Sequence, residues 1–287
     1  TELKKCIKVI DALKTTVFMK KCLEYLKLRC YDSTFEDIKD MNPNLFCCEN
    51  GILDLELCIF RPGRPDDNCT FSCKINYNDD LNYDSDDVQY LMEKQKQIYT
   101  NAKLLHYFYD SVSLCLMAGN TNKKFYIWTG GGNNAKSTNC RLLQSTFGDY
   151  FCPIAKEAFI SDRNGSPGGP RADLTDLKHK RIGFGNEVTS EDKFNIGSIK
   201  GMSGNDPQWF RGLFKTKGEM ISFTFTIFMQ CNDPPKVPAG DGPTWERIRM
   251  LEHNSKFDNS APEDEDEQFD SAHFPCDPVF KDNISNF

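Results

Sequence analysis

The 287-residue sequence lacks several features that would assign it to a membrane or secreted class. It contains no apolar run of the roughly 18 residues that a membrane-spanning helix needs, and its amino-terminal residues lack a signal-peptide pattern. Histidine is scarce, with only 4 residues, and the spacing Cys-x-x-Cys does not occur. We therefore expect no membrane segment, no secretion and no zinc-ribbon type of site.

Cysteine, in contrast, is frequent, with 13 residues. An odd number without paired spacing favours reduced thiols in a cytosolic or nuclear compartment, many of them serving as small core residues. The alternative is a structural zinc ion held by Cys47, Cys48, Cys69 and Cys73.

The charge is unevenly distributed along the chain. The net charge, counted as lysines and arginines minus aspartates and glutamates, is 14 − 18 = −4 for residues 1–100, 20 − 15 = +5 for residues 101–257 and 1 − 9 = −8 for residues 258–287. The middle of the chain is therefore its basic part, which suits a polyanionic partner despite the net charge of −7. The acidic run at residues 262–270 is predicted to be a solvated loop.

The most informative stretch is an apolar segment at residues 125–129 that leads into a glycine-rich turn and then Lys-Ser-Thr. A strand, a glycine-rich loop and a helix in this order are typical of a phosphate-binding P-loop. Glycines let backbone N–H groups face phosphate oxygens, Lys136 reaches the β and γ phosphates of ATP, and the Ser137 hydroxyl can ligate Mg²⁺. A Gly/Asn-rich hairpin turn is the alternative. The predicted nucleotide-binding residues are Gly130, Gly131, Gly132, Asn133, Asn134, Ala135, Lys136, Ser137 and Thr138.

One position departs from the P-loop pattern, because Ala135 stands where glycine usually precedes the lysine. We expect this alanine to keep a negative φ and to leave the phosphate uncrowded.

Two later strands are predicted to contribute polar groups beside the loop. The strand that begins near residue 180 ends at Glu187, a carboxylate suited to hold a Mg²⁺-bound water or to polarise the attacking water. Asn186 occupies a place where a second acid often sits, so metal coordination rests more on Ser137. A strand over residues 221–232 alternates phenylalanine with polar residues and ends in Asn232, whose amide can orient the attacking water.

Arg247 and Arg249 are predicted to lie at alternate positions of one short strand and thus on the same face. An arginine that a neighbouring subunit inserts toward ATP is a strong transition-state device, and Arg247 is the predicted catalytic one. Elsewhere, apolar spacing predicts one or two helices over residues 3–29 and a helical stretch over 88–118. A small β-rich element with a tight turn at Asn50-Gly51 and a segment at residues 70–75 lies between them.

These motifs, taken in order, resemble those of superfamily 3 helicases, and more closely the primase-helicases of large DNA viruses of the poxvirus and asfarvirus type. The resemblance spans roughly residues 40–255 and includes Asn-Pro-Asn-Leu at 42–45 and Asn-Gly-Ile-Leu-Asp-Leu at 50–55. It implies an α/β fold: an AAA+-like P-loop NTPase core with a central, largely parallel sheet, preceded by a small mixed helical and β domain. The implied domains are residues 1–98, 99–257 and 258–287, the last being the acidic loop and the start of a further segment.

The resemblance also implies an activity and partners. These are ATP hydrolysis with Mg²⁺, a homo-hexameric ring with ATP between subunits, and 3′-to-5′ translocation on single-stranded DNA in viral DNA replication. The resemblance further implies other replication proteins as partners and the host cytoplasm as the location. The family has a hairpin that projects into the ring channel, and residues 210–225 are its counterpart here, with Lys215 and Lys217 at the turn as DNA contacts. Lys124 resembles a basic residue that touches a neighbour's ATP. The chain is then expected to be a fragment of a longer protein.

Two other functions remain open at this point. A nucleoside or nucleotide kinase would use the same loop but would not need DNA. A non-catalytic assembly protein would bind nucleotide only to stabilise a ring, and Ala135 is the residue that favours it.

Overall fold

The computed structural model describes residues 2–160, 177–185, 192–210, 218–234, 236–237, 241–282 and 284, without the side chain of Phe210. Contacts between residues divide the chain into two compact units, Thr1–Met41 and Asn42–Phe287. The domain boundaries predicted at residues 98 and 257 remain predictions.

The first unit is helical. Helix α1 spans Glu2–Leu13, α2 spans Thr16–Arg29 and α3 spans Phe35–Ile38, and none of them buries a residue. The prediction of one or two helices over residues 3–29 is confirmed.

The second unit begins with a small antiparallel sheet of β1 (Leu45–Cys48), β2 (Gly51–Asp54) and β3 (Ile59–Arg61). The predicted tight turn joins β1 to β2, because Cys48 pairs with Gly51. Residues 70–75, which were predicted to belong to this β-rich element, do not form a strand in it. This segment runs beside β1, where the Cys73 N–H donates to the Cys47 carbonyl at 2.9 Å, but it forms no ladder.

Two helices follow where one helical stretch was predicted over residues 88–118. Helix α4 spans Asp86–Ile98 and α5 spans Ala102–Ser113. The helical stretch is interrupted because the Asn101 side chain accepts hydrogen bonds from the N–H groups of Lys103 and Leu104, which caps a new helix start.

The remaining main elements build the central sheet and a hairpin. In chain order they are β4 (Phe125–Thr129), α6 (Lys136–Phe147), β5 (Phe151–Ile154), β6 (Ile182–Gly185), β7 (Gln208–Phe210), β8 (Glu219–Ile221), β9 (Thr226–Gln230) and β10 (Ile248–Glu252). Five of these strands form one sheet in the order β10-β4-β9-β6-β5, and every pairing in it is parallel. The predicted α/β fold with a central parallel sheet, preceded by helical and β elements, is confirmed.

Strand β4 lies inside this sheet and is buried on both faces. Phe125 and Ile127 point into one core cluster, and Tyr126 and Trp128 point into the other, as the two-residue period of a strand requires. Parallel strands covered on both faces read as continuous apolar runs, which is why this segment was recognisable in the sequence.

The predicted long strand over residues 221–232 is wrong in its extent. Its first residue belongs to β8, which pairs with β7 in a hairpin, and the strand of the central sheet begins only at Thr226. Phe223 and Phe225 in the connection are fully buried, so their alternation with polar residues reports core packing rather than strand structure.

The predicted acidic loop is also wrong in part, because Glu265–Ser271 is a helix. The Asp264 side chain caps it by accepting from the Glu267 N–H at 3.0 Å, and the acidic residues of its first turn suit the positive end of the helix dipole. Phe269 packs on Phe274 with the ring centroids 5.1 Å apart. Short parallel strands β11 (Lys256–Phe257) and β12 (His273–Phe274) and a helix at Pro278–Asp282 complete the described chain.

None of the helices in the described ranges is long and apolar enough to cross a membrane. Over the same residues, which include the four clustered cysteines, no group of three or more histidine, cysteine, aspartate or glutamate side chains is placed to hold a metal ion.

Candidate nucleotide-binding site

Three neighbouring parallel strands end at the same edge of the central sheet. Strands β4, β9 and β10 are in register there, with Trp128 opposite Gln230 and Thr129 opposite Glu252. The residues that follow them therefore converge. The Gly130 N–H donates to the Asn232 carbonyl at 3.4 Å, which brings two of the predicted site residues together.

The segment at residues 130–135, here called the glycine-rich loop, turns sharply between β4 and α6. Its φ angles are +139° at Gly130, +56° at Asn133 and +61° at Ala135. The expectation of a negative φ at Ala135 is wrong. Ala135 is the residue before the first turn of α6, and its carbonyl accepts the first helical hydrogen bond from Asn139 at 2.9 Å. Its backbone is left-handed, with φ of +61° and ψ of 9°.

The left-handed alanine gives a first prediction. Replacing Ala135 with glycine removes a strain of roughly 1 kcal/mol, partly offset by the freedom that glycine adds to the unfolded chain. We expect Ala135→Gly to raise the free energy of unfolding in urea by about 0.5 kcal/mol.

The matched control is Ala155→Gly, at an exposed alanine with a φ of −64°. Glycine gains no relief there, so this variant should be destabilised by a few tenths of a kcal/mol. Equal losses in both variants would contradict the strain assigned to Ala135.

Groups behind the glycine-rich loop hold its shape. The Asn134 side chain, 5% exposed, donates to the His253 carbonyl at 3.3 Å, and a Cβ on Gly130 would collide with both groups. On the outer side, the Phe257 N–H donates to the Asn133 carbonyl at 2.8 Å. The loop is therefore tied to the chain that follows β10.

His253 itself is a buried, neutral imidazole. Burial is the main cause that lowers its pKa to about 3. Its Nε2 lies 2.8 Å from the Tyr99 hydroxyl, at the carboxyl-terminal end of α4. Sequence reasoning missed His253, since its contact to Asn134 spans 119 residues and no local pattern predicts it.

Lys136 is the first residue of α6, and its side chain folds back over the loop. The ammonium donates to the carbonyls of Gly130 and Gly131, the latter at 3.1 Å, and lies 3.4 Å from Oδ1 of Asn232. Lys136 is only 7% exposed, and burial lowers its pKa. All three acceptors are neutral oxygens. Lys136 is therefore a desolvated positive charge that has no carboxylate partner among the described residues.

A cavity of about 290 Å³ opens beside the glycine-rich loop. Ser137 and Thr138 line it from α6, Ile98 from α4, and Phe257 and Phe280 from the chain after β10. Apolar walls beside backbone N–H groups and hydroxyls are the usual composition of a small-molecule site.

The carboxylate of Asp277 holds one wall of this cavity in place. It accepts hydrogen bonds from the Tyr90 hydroxyl at 2.7 Å and from the Lys94 ammonium at 2.8 Å. Burial alone would raise the pKa of Asp277, but these hydrogen bonds outweigh it and lower the pKa to about 2. A charged contact between α4 and the start of the helix Pro278–Asp282 thus fixes this wall. The sequence motifs did not assign either helix to the site.

The basic residues predicted to act on a neighbour's ATP lie elsewhere. Strands β4 and β10 are parallel and begin together, with Phe125 opposite Ile248. Lys124 and Arg247 come directly before the first residues of these strands, so they lie at the opposite edge of the sheet from the glycine-rich loop. A five-residue strand separates them from the loop by about 15 Å, because a strand rises about 3.3 Å per residue. The structure does not bring them into the site of their own chain.

The prediction that Arg247 and Arg249 share one face of one strand is wrong. Arg247 is the last residue of the helix Gly242–Arg247, and Arg249 is in β10. Arg247 donates to the Lys200 carbonyl at 3.2 Å and to the Ser203 hydroxyl at 2.9 Å. Arg249 and Lys124 instead both donate to the Glu246 carbonyl at 2.9 Å. The helix ends at Arg247 and the backbone is extended from Ile248 onward, so the two arginines fall in different elements.

Other predicted residues fall outside the described ranges: Asn186, Glu187, Lys215 and Lys217. Their flanks are described. Strand β6 ends at Gly185, on the same edge of the sheet as the glycine-rich loop. Strands β7 and β8 pair in the region of the predicted hairpin, but they span residues 208–210 and 219–221. Of the predicted arms, residues 211–214 lie outside the described ranges and residues 222–225 are not in a strand.

The fold and this edge of the sheet define an α/β protein with a candidate nucleotide site at the carboxyl ends of parallel strands. Comparison with known proteins makes the class more specific. A family model described as "D5 N terminal like" matches residues 1–112. The chain is 30% identical over 275 residues to a putative helicase of Invertebrate iridescent virus 3, covering 94% of this chain and 29% of that protein.

Two further viral proteins are similar to the chain. The chain is 31% identical over 252 residues to a putative helicase of Acanthamoeba polyphaga mimivirus (87% of this chain, 26% of that protein). It is 22% identical over 295 residues to a putative primase of African swine fever virus (99% and 30%). Among solved structures, the apo NrS-1 C-terminal region has a TM-score of 0.49 and 15% identity, covering 69% of this chain and 43% of that one. The predicted resemblance to the primase-helicases of large DNA viruses is confirmed, and the chain spans under a third of the length of these relatives.

Proposed function

We propose that this chain is the ATP-hydrolysing helicase module of a DNA-virus replication protein. The observation that carries the proposal is the buried Lys136 ammonium, whose partners among the described residues are neutral oxygens of the glycine-rich loop and of Asn232. A desolvated cation at the start of a helix is a site for anionic phosphate, because both the ammonium and the helix dipole favour negative charge there.

The residues present fit ATP with Mg²⁺. In the proposed mode, the β and γ phosphates replace the carbonyls of Gly130 and Gly131 as partners of Lys136, and loop N–H groups donate to them. Ser137 is the proposed Mg²⁺ ligand from α6, together with Glu187 through a metal-bound water. Bound Mg²⁺ would neutralise charge that develops on the phosphates. Asn232 orients the attacking water, and Glu187 polarises it.

The arginine that stabilises the transition state comes, in this proposal, from a second copy of the chain. Arg247, Arg249 and Lys124 lie at the opposite edge of the sheet from the loop of their own chain, so a contact with ATP requires a neighbour. This requirement supports the proposed homo-hexameric ring with ATP between subunits. Among the three, Lys124 and Arg249 share the Glu246 carbonyl and form one basic pair.

Single-stranded DNA is the proposed track, with 3′-to-5′ translocation, and Lys215 and Lys217 of the hairpin are proposed phosphate contacts. The names of the viral relatives support DNA replication as the process, and other replication proteins as partners. The proposed place of action is the host cytoplasm.

Two measurements test the proposal in sequence. Binding of a fluorescent ATP analogue with Mg²⁺ tests the loop itself, whatever the assembly state. Steady-state ATP hydrolysis over a series of protein concentrations, with and without single-stranded DNA, tests the module. We expect binding, and a rate per chain that rises with concentration and with DNA.

The contrary outcomes separate the alternatives. Binding without turnover at any concentration favours a non-catalytic assembly protein. Turnover that depends on neither DNA nor concentration favours a small-molecule kinase. Absence of analogue binding would reject the nucleotide site.

A further inference from the structure

The hairpin of β7 and β8 presents an exposed aromatic residue. The chain contains three tryptophans: Trp128 is fully buried, Trp245 is 46% exposed and Trp209 is 56% exposed. Trp209 lies directly opposite Met220 in the ladder, and Met220 is 60% exposed. Residues paired in this way are on one face, with their Cβ atoms about 5 Å apart. The two side chains therefore form one apolar, solvent-facing surface, here called the Trp209–Met220 face.

The opposite face of the hairpin is anchored in the protein. Ile221, only 1% exposed, belongs to a core cluster of the central sheet. Its ladder partner Gln208 lies so close to Gly201, in the helix Ile196–Ser203, that a Cβ there would collide with the Gln208 amide. The face that carries Gln208 and Ile221 therefore packs against the protein. Because side chains alternate between the two faces of a strand, Trp209 and Met220 point outward.

The charge of the hairpin indicates what covers this face. Residues 211–218, which connect the two strands, include Arg211, Lys215 and Lys217 and no acid. The one carboxylate on the paired strands, Glu219, faces the anchored side and lies 3.5 Å from the Lys178 ammonium. An apolar aromatic surface in a segment of basic sequence complements a ligand that offers both aromatic faces and phosphates. Single-stranded nucleic acid is such a ligand.

We propose that Trp209, supported by Met220, is a base-stacking platform for single-stranded DNA. The proposal rests on the proposed helicase function and adds to it a contact with bases rather than with phosphates. Because every base has a π-face, such stacking tolerates any sequence, as a translocating module requires. A second copy of the chain is the competing occupant of the same face.

The distribution of tryptophans supplies the test. Trp245→Phe keeps Trp209 as the exposed fluorophore, whereas Trp209→Phe keeps Trp245, and the buried Trp128 remains in both. Each variant is titrated with oligo(dT) and with an abasic strand of the same length, which has the same phosphates but no bases. Anisotropy of labelled oligo(dT) reports binding in parallel, for these variants, for wild type and for Trp209→Ala.

We expect oligo(dT), but not the abasic strand, to quench the fluorescence of Trp245→Phe and to leave that of Trp209→Phe unchanged. Trp209→Ala should weaken oligo(dT) binding by about tenfold, and much less for the abasic strand.

Oligo(dT) binding that is equally tight in Trp209→Ala, with no quenching in Trp245→Phe, overturns the stacking platform but leaves the proposed function intact. Absence of oligo(dT) binding by wild type overturns the DNA-binding part of the proposed function and the platform with it. Trp209 fluorescence that changes with protein concentration and not with DNA identifies the face as an interface between copies, and also overturns the platform.

Discussion

Lys136→Ala is expected to lower the rate of ATP hydrolysis by about two to three orders of magnitude. The ammonium lies at the glycine-rich loop, where it can place a full positive charge against the γ phosphate as charge develops there, and loss of one such preorganised donor typically has this effect. Its present contacts with Gly130, Gly131 and Asn232 keep it within the loop. Steady-state phosphate release at saturating ATP, with single-stranded DNA present, measures the change.

The stability of this variant distinguishes loss of function from loss of structure. Removing a buried ammonium that has no paired carboxylate among the described residues relieves a desolvation cost, so the free energy of unfolding should stay the same or rise. Gln144→Ala, an exposed position on the same helix, is the matched control and should change neither quantity. Turnover in Lys136→Ala at the wild-type rate would remove Lys136 from the mechanism and leave the site without its cation.

The sequence predicted those parts of this site that depend on local patterns. The strand Phe125–Thr129 was recognisable because burial on both faces makes it an unbroken apolar run. The helix that begins at Lys136 was predicted from the strand, glycine-rich loop and helix order of a P-loop. The place of Asn232 also followed from order, since parallel strands end at one edge.

Features that depend on contacts distant in sequence could not be predicted in this way. His253 supports the loop through its backbone carbonyl, which any residue type offers, so its identity carries no signal. The wall at Asp277 depends on a helix that begins almost two hundred residues earlier. The sign of φ at Ala135 was mispredicted because alanine prefers negative φ, and the surrounding contacts override that preference.

Arg181→Met is expected to destabilise the second unit by about 3 kcal/mol, because it removes three charge-assisted hydrogen bonds. Arg181 is 3% exposed and donates to the carbonyls of Pro43, Leu116 and Leu45 at 2.8, 2.9 and 2.8 Å. Burial lowers its pKa, yet an arginine remains charged, so the side chain is a buried cation satisfied by backbone oxygens and by the Tyr150 ring at 5.3 Å. Urea unfolding followed by tryptophan fluorescence, in which the buried Trp128 reports exposure of the core, measures the loss.

Two further variants show whether geometry or charge accounts for this loss. Arg181→Lys keeps the charge but not the planar fork that reaches three carbonyls at once, so it should lose most of the same stability. Arg29→Met removes an exposed arginine from α2 and should change the free energy of unfolding by less than about 0.5 kcal/mol. Wild-type stability in Arg181→Met would mean that water replaces the guanidinium. The small antiparallel sheet, the turn after α5 and the central sheet would then be joined by their apolar core alone. A loss in Arg181→Met that Arg181→Lys shares would show that the fork of Arg181 joins these elements beneath the edge of the sheet opposite the glycine-rich loop.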